Sequence, residues 1–331
     1  MSNEQEPKLI MAEGANASWD EYINIHDMPD AVVVDVTNFC NCAECAHCYI
    51  KAVRYGDTKN DTGVFMDTAT ANVWAETLAT HPKGRPEQIW IAGGEPTIHS
   101  NLGPILGYFK DRGFYTALIT NGERFADNRY CQQITSLNVL DEVAVTIRGV
   151  GGLHDLLMLP ADNPLWGLVP TDQPASGQIT YVTGKIKERA HFEKSMEGLL
   201  NLSKTNVQVA LNIDMQIATD MDVIVGEIVK RGGRVNIIYL QVQQMAGRAK
   251  EQPLSVPNKW REPTEEMVAK YLEQAKALLE QKIVQEITII DPLPENIVEG
   301  LSLEKEEVYQ PSVVPAISPA GELRKDVLFV D

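Results

Sequence analysis

No apolar run in this chain of 331 residues approaches the roughly 18–20 residues that a helix needs to span a bilayer. No block of lysine and arginine relieves the acidic balance of 46 Asp+Glu against 29 Lys+Arg, a formal net charge of −17. Such a surface repels duplex and tRNA backbones, so neither a membrane nor a nucleic-acid partner is expected. The first residues, Met1 to Lys8, hold no apolar stretch of the secretory-signal kind. Cysteine is scarce as well: there are five, four of them between Cys40 and Cys48, and none follows Cys131. An odd, clustered set makes a poor disulfide framework, and close thiols in a reducing compartment hold metals or clusters more often. The expected location is therefore the cytoplasm.

What is present is a repeating alternation. Short runs rich in Val and Ile at 31–36, 88–91, 115–120, 142–147, 207–213 and 235–240 read as parallel strands buried on both faces. Helical patterns fall between them at 68–80, 101–112, 127–137, 191–203 and 220–231, with Asp67 as an N-cap and Gly113 as a C-terminal stop. Six such units predict an α/β fold: a partial (β/α)6 TIM-like barrel with its active site at the C-terminal ends of the strands. The expected division is an N-terminal extension over 1–30, the barrel over 31–250 and a C-terminal α+β extension over 251–331. Within the barrel an insert of about 153–190, carrying Pro160, Pro164, Pro170 and Pro174, reads as a lid or binding loop. The extension is expected to hold a helix near 264–282 with the apolar stripe Val268, Leu272, Ala275 and Leu279, then a hairpin turning at Pro319-Ala320-Gly321.

Two motifs fall where the barrel places its chemistry. The run Thr37-Asn38-Phe39-Cys40-Asn41-Cys42 continues to Cys45 and Cys48 directly after the first strand, and Gly93-Gly94-Glu95-Pro96 follows the second. Clustered thiolates suit iron–sulfur or zinc ligation, and glycines let a backbone approach a ligand closely. In this order and setting the pair resembles the radical SAM superfamily. The common spacing there is C-x3-C-x2-C, whereas Cys40, Cys45 and Cys48 give C-x4-C-x2-C and Cys42, Cys45 and Cys48 give C-x2-C-x2-C. The register of Thr37–Asn41 favours Cys40, with Cys42 as the alternative first ligand.

The resemblance implies a [4Fe–4S] cluster on three cysteines. It also implies an S-adenosylmethionine (SAM) site at Gly93, Gly94, Glu95 and Pro96, with Glu95 supporting the turn or meeting the SAM ammonium. Further echoes are Thr120-Asn121-Gly122 after the third strand, Thr146 at the fourth, Asn212 at the fifth and Gly247-Arg248-Ala249 after the sixth. Thr120, Asn121, Thr146, Asn212 and Arg248 are therefore candidate SAM contacts. His154-Asp155 and His191-Phe192 resemble the family's His-Asp and Ser-Phe landmarks, and His154 reads as an exposed loop histidine. Cys131 reads as a buried structural thiol on an outer helix.

The implied activity is reductive cleavage of SAM to a 5′-deoxyadenosyl radical that takes hydrogen from a small-molecule or peptide substrate. The electron would come from an external donor such as flavodoxin or ferredoxin. The tail resembles the cluster-bearing tails of SPASM-type relatives but lacks their cysteines. It offers no acceptor for a substrate-derived electron, which favours redox-neutral outcomes: epimerisation, rearrangement, decarboxylation or elimination. An activating protein for a glycyl-radical enzyme is the alternative, and a non-catalytic zinc- or cluster-binding protein a remote one.

Overall fold

Every Val- and Ile-rich run expected to be a strand is one in the computed structural model, which describes residues 6–25, 28–42, 45, 48, 50, 52–56, 63–159, 191–214, 221–241, 264–289 and 316–324. Strand β1 (Ala31–Asp35) leads into the short pair β2 (Phe39–Cys40) and β3 (Val53–Arg54) and then helix α2 (Thr68–Thr80). The N-terminal stretch before β1 carries α1 (Glu6–Ile25), an element that its polar composition does not announce. From there β4 (Gln88–Ala92), α3 (Leu102–Lys110), β5 (Tyr115–Thr120), α4 (Asn128–Thr135) and β6 (Glu142–Thr146) alternate. Helices α5 (Gly152–Leu157) and α6 (His191–Leu202), strand β7 (Gln208–Asp214), α7 (Met221–Lys230) and β8 (Ile237–Gln241) follow. The tail adds α8 (Glu265–Glu280), β9 (Glu286–Ile289), β10 (Ala316–Ile317) and β11 (Leu323–Arg324).

The sheet order is β11-β10-β1-β4-β5-β6-β7-β8-β9, parallel throughout except for β11. This is the partial barrel anticipated from six strands, lengthened at one edge by β9 and at the other by β10. The hairpin expected at Gly321 is β10–β11, with Gly321 at φ +80. It docks on α2 through a bond from the Trp74 indole Nε1 to the Gly321 carbonyl, 3.0 Å.

Side chains alternate between two faces, as strand geometry requires. Val34, Ile91, Leu118, Val145 and Leu211 pack outward under the helices, where Trp19 and Tyr22 of α1 and Cys131 of α4 are also buried. Val33, Trp90, Ala92, Ile119, Ala144 and Ala210 face inward. At the N-terminal end of the strands the hydroxyls of Tyr115 and Tyr239 both donate to Glu142 Oε2, at 2.9 and 3.1 Å.

Two expectations need correction. The α8 stripe buries Val268, Tyr271, Ala275 and Leu278, while Leu279 is 39% exposed. The 268, 271, 275, 278 spacing keeps one face of a 3.6-residue helix better than the stripe read from the sequence. The connection expected to begin near Leu153 opens with α5 instead; residues 160–190 lie outside the described part of the chain, as does Arg248. Among the described residues no helix is long and apolar enough to cross a membrane.

Candidate active site at the cysteine loop

The loop after β1 is clamped between two backbone segments. On one side Thr37 Oγ1 donates to the Val64 carbonyl and Asn38 Oδ1 accepts from Val64 N, at 2.9 and 2.6 Å. On the other, Gly94 N donates to the Thr37 carbonyl (2.7 Å) and Glu95 N to the Phe39 carbonyl (2.9 Å). Gly93 sits at φ +129, and a Cβ on Gly93 or Gly94 would overlap the carbonyl oxygen of Thr37 or Phe39. The two glycines thus bring the second motif into backbone contact with the first.

Beyond this clamp the thiols of Cys40, Cys42 and Cys45 are buried in a small core with Ala52 and Met158, and Cys48 packs against it. Cys40 Sγ accepts from Cys42 N at 3.3 Å, Cys45 Sγ donates to the Cys42 carbonyl at 2.8 Å, and Cys48 Sγ accepts from Ala52 N at 3.2 Å. Burial, then the charges of Cys45, Glu95 and Cys48, hold the Cys40 thiol well above the usual range. Burial, then Glu123, Cys45 and Cys40, do the same at Cys42. Crowded buried thiols that resist ionising next to one another are what a cationic iron centre relieves, so the donor set fits a cluster.

Glu95 is the keystone of the turn. Its Oε1 accepts from Thr97 N, Thr97 Oγ1 and Thr120 Oγ1, at 3.0, 2.6 and 2.7 Å. Its Oε2 accepts from Asn121 N at 2.8 Å. Burial raises the carboxyl, and these hydrogen bonds offset part of the rise. Pro96 opens the 3-10 turn that Glu95 caps. Thr120 also accepts from Gly122 N at 3.0 Å, and Asn121 Nδ2 reaches Asn41 Oδ1 at 2.8 Å. Thr120 and Asn121 thereby tie the end of β5 to both motifs.

Thr146 and Asn212 are register partners across β6 and β7. Each lies two residues beyond an inward-facing alanine, Ala144 or Ala210, and so faces the barrel interior. Asn212 is buried and its Oδ1 has no hydrogen-bond partner among the described residues. An orphaned acceptor of this kind is costly, and a polar ligand would satisfy it.

The two histidine landmarks come together. Asp155 Oδ1 accepts from Phe192 N at 2.8 Å, and the His154 and Phe192 rings lie 6.1 Å apart. His154 is fully buried rather than exposed, because α5 turns it inward, where its Nδ1 accepts from Arg148 N at 3.1 Å. Burial, then the charges of Arg148 and His191, lowers its pKa to about 3. The unfolded chain therefore binds a proton that the folded chain refuses between an ordinary histidine value of about 6.5 and about 3. Stability should fall as pH drops through that window, with a slope approaching about 1.4 kcal/mol per pH unit from this group. Denaturant melts from pH 7 to 4 should show the slope flattened in His154→Gln.

Glu123 and His191 were not singled out for a role by sequence reasoning. Both lie next to landmarks, Thr120-Asn121-Gly122 and Phe192, but only the fold shows that they meet Cys42 Sγ, which is 3.2 Å from Glu123 Oε1 and 3.3 Å from His191 Nδ1. Burial alone would raise the Glu123 carboxyl, yet bonding and charge from His191, with Cys42 and Lys194, bring it below the ordinary carboxylate range.

Comparison with known proteins supplies a family. Residues 34–156 match the model of the radical SAM superfamily. Among solved structures, SuiB of Streptococcus suis bound to its precursor peptide SuiA superposes with a TM-score of 0.57 at 12% identity, covering 96% of this chain and 63% of that one. SuiB bound to S-adenosylmethionine gives 0.52 at 11% identity, covering 94% and 64%. At such identities the likeness is one of fold, and this chain spans less than two thirds of the length of SuiB. No curated protein matches the sequence.

Proposed function

We propose, from the premise that this chain carries a radical SAM domain and is a radical SAM enzyme, that it acts on a peptide or small-molecule substrate through redox-neutral hydrogen-atom chemistry. The observation that carries this reading is the buried thiol loop at the C-terminal end of β1, clamped to the Gly93–Pro96 turn. Cys40, Cys45 and Cys48 would hold the [4Fe–4S] cluster, and Gly93, Gly94, Glu95 and Pro96 would seat the methionine end of SAM. When bound, the cluster and SAM together supply the 5′-deoxyadenosyl radical that takes hydrogen from substrate.

The protein's own residues set where that happens. Cys42 Sγ is turned to Glu123 and His191, which favours Cys40, Cys45 and Cys48 as one ligand set. Glu95, with its four hydrogen bonds, orients the turn rather than reaching outward. Thr146 and Asn212 line the interior wall, and the unpartnered Asn212 Oδ1 is the acceptor best placed for a polar group of SAM. Tyr115, Tyr239 and Glu142 fill the opposite end of the barrel, so substrate would enter from the side of the cysteine loop. The likeness to a structure bound to its precursor peptide favours a peptide. An external flavodoxin or ferredoxin in a reducing cytoplasm would supply the initiating electron.

Anaerobic reconstitution followed by iron and sulfide analysis, dithionite reduction and an assay for 5′-deoxyadenosine tests the reading. About four irons per chain and steady deoxyadenosine release are expected. Protein that takes up no iron and leaves SAM intact would overturn it.

A further inference from the structure

We infer that Cys42, Glu123 and His191 form a second metal site, one that takes a mononuclear divalent cation of borderline softness, zinc first. Three different donor atoms converge there. Cys42 Sγ is 3.2 Å from Glu123 Oε1 and 3.3 Å from His191 Nδ1, and the carboxylate and the ring nitrogen are also in direct contact. All lie within 4.8 Å of one another. Zinc–ligand bonds of about 2.0–2.3 Å at tetrahedral angles separate ligand atoms by roughly 3.3–3.6 Å. The two sides at Cys42 need only a slight opening to receive the ion, whereas the carboxylate and the imidazole must move further apart.

Without a metal, the thiol and the imidazole Nδ1–H both turn to one carboxylate oxygen, Glu123 Oε1. A cation would satisfy all three donors at once. Thiolate, imidazole and carboxylate together select zinc over magnesium or calcium, and two negative ligands neutralise its charge in a buried setting. The Glu123 and His191 side chains are only 8% and 15% exposed.

The surroundings are built to hold these atoms in place. Asn41 Nδ2 binds the other carboxylate oxygen, Glu123 Oε2, at 2.9 Å, which turns Oε1 toward the thiol. Asn121 Nδ2 holds Asn41 in turn at 2.8 Å. Helix α6 is seated on the Gly122 turn so closely that a Cβ on Gly198 would overlap the Gly122 carbonyl oxygen. Asn201 Nδ2 fixes that seat through the carbonyls of Phe125 and Ala126, at 3.0 and 3.2 Å. An outer layer of this kind is what orients metal ligands. Three protein ligands leave one coordination position open, the pattern of zinc sites that bind water or a substrate donor. Such a site beside the cluster loop could anchor a carboxylate, amine or thiolate of the substrate.

This site shares its loop with the cluster reading but uses a different thiol, so the test must separate the two. Full-length protein, cluster-loaded anaerobically, is equilibrated with zinc(II) and assayed for iron, sulfide and zinc. One zinc beside about four irons is expected, with a zinc absorption edge showing one sulfur near 2.3 Å and nitrogen or oxygen neighbours near 2.0 Å. Cys42→Ala and His191→Gln should each lose the zinc while keeping the iron, which also reports that the loop is folded. Asn41→Ala should weaken zinc by about 10–100-fold. The Cys40→Ala/Cys45→Ala/Cys48→Ala variant should bind no iron yet retain one zinc, so failure to load a cluster would not obscure this site. Zinc retained by both Cys42→Ala and His191→Gln, or iron lost from Cys42→Ala, would overturn the inference.

Discussion

Cys40→Ala is expected to abolish cluster loading and reduce deoxyadenosine formation to background, whereas Cys42→Ala keeps about four irons per chain. The two thiols are two positions apart and almost equally buried, yet they face different neighbours. Cys40 lies in β2 and accepts a bond from Cys42 N. Cys42 is turned to Glu123 and His191. Cys45→Ala and Cys48→Ala should behave like Cys40→Ala. Iron and sulfide counts on anaerobically reconstituted proteins, with the electron paramagnetic resonance signal after reduction, read the outcome. Iron lost from Cys42→Ala and kept in Cys40→Ala would transfer the first ligand to Cys42.

Gly94→Ala should disable the site without touching a ligand. The added Cβ would overlap the Phe39 carbonyl oxygen, immediately before Cys40. Overpacking of this kind costs about 1–3 kcal/mol. The bonds from Gly94 N to Thr37 and from Glu95 N to Phe39 would stretch or break, each contributing about 1 kcal/mol. Part of that loss should appear in global stability. The rest should appear as displacement of the cysteine loop, seen as incomplete iron loading and little SAM cleavage. Gly226→Ala is the control: Gly226 lies within α7 and a Cβ there meets nothing within 4 Å. That change should be neutral or stabilising by about 0.5–1 kcal/mol. Normal iron loading in Gly94→Ala would mean that the clamp is dispensable.

The architecture was legible where local pattern and tertiary burial agree. Runs such as Ala31–Asp35 and Glu142–Thr146 are buried at every position, and a strand covered on both faces is written as a mostly apolar run rather than an alternation. Asp67 could be read as a cap because its carboxylate accepts from Thr70 N, three residues on. The edges were harder. Strand β9 is four residues long and only partly buried, and β10 is two residues long, so neither carries a periodic signature. Helix α1 is anchored in the core through Trp19 and Tyr22.

The site divides in the same way. Cysteines crowded into one loop announce themselves, and Gly93-Gly94-Glu95-Pro96 follows a clear strand. Glu95 was singled out, but the four bonds that make it a keystone came from the fold. Glu123 and His191 lie 81 and 149 positions after Cys42. No local spacing rule links them, and only the seating of α6 on the Gly122 turn brings them together.

The pairing of β1 with β10 has a consequence for the order of events during synthesis. Val33 and Val34, just ahead of the thiol loop, pair on one side with β4 and on the other with Ala316 and Ile317. While the chain is being made, the β4 side can form early, but the partner for the other side emerges from the ribosome far later. Until then the strand that leads into the cysteines presents an open edge, the kind of surface that pairs wrongly with other chains. Late-arriving β10 closes that edge, so the corner of the barrel that carries the cysteines is also among the last to be sealed.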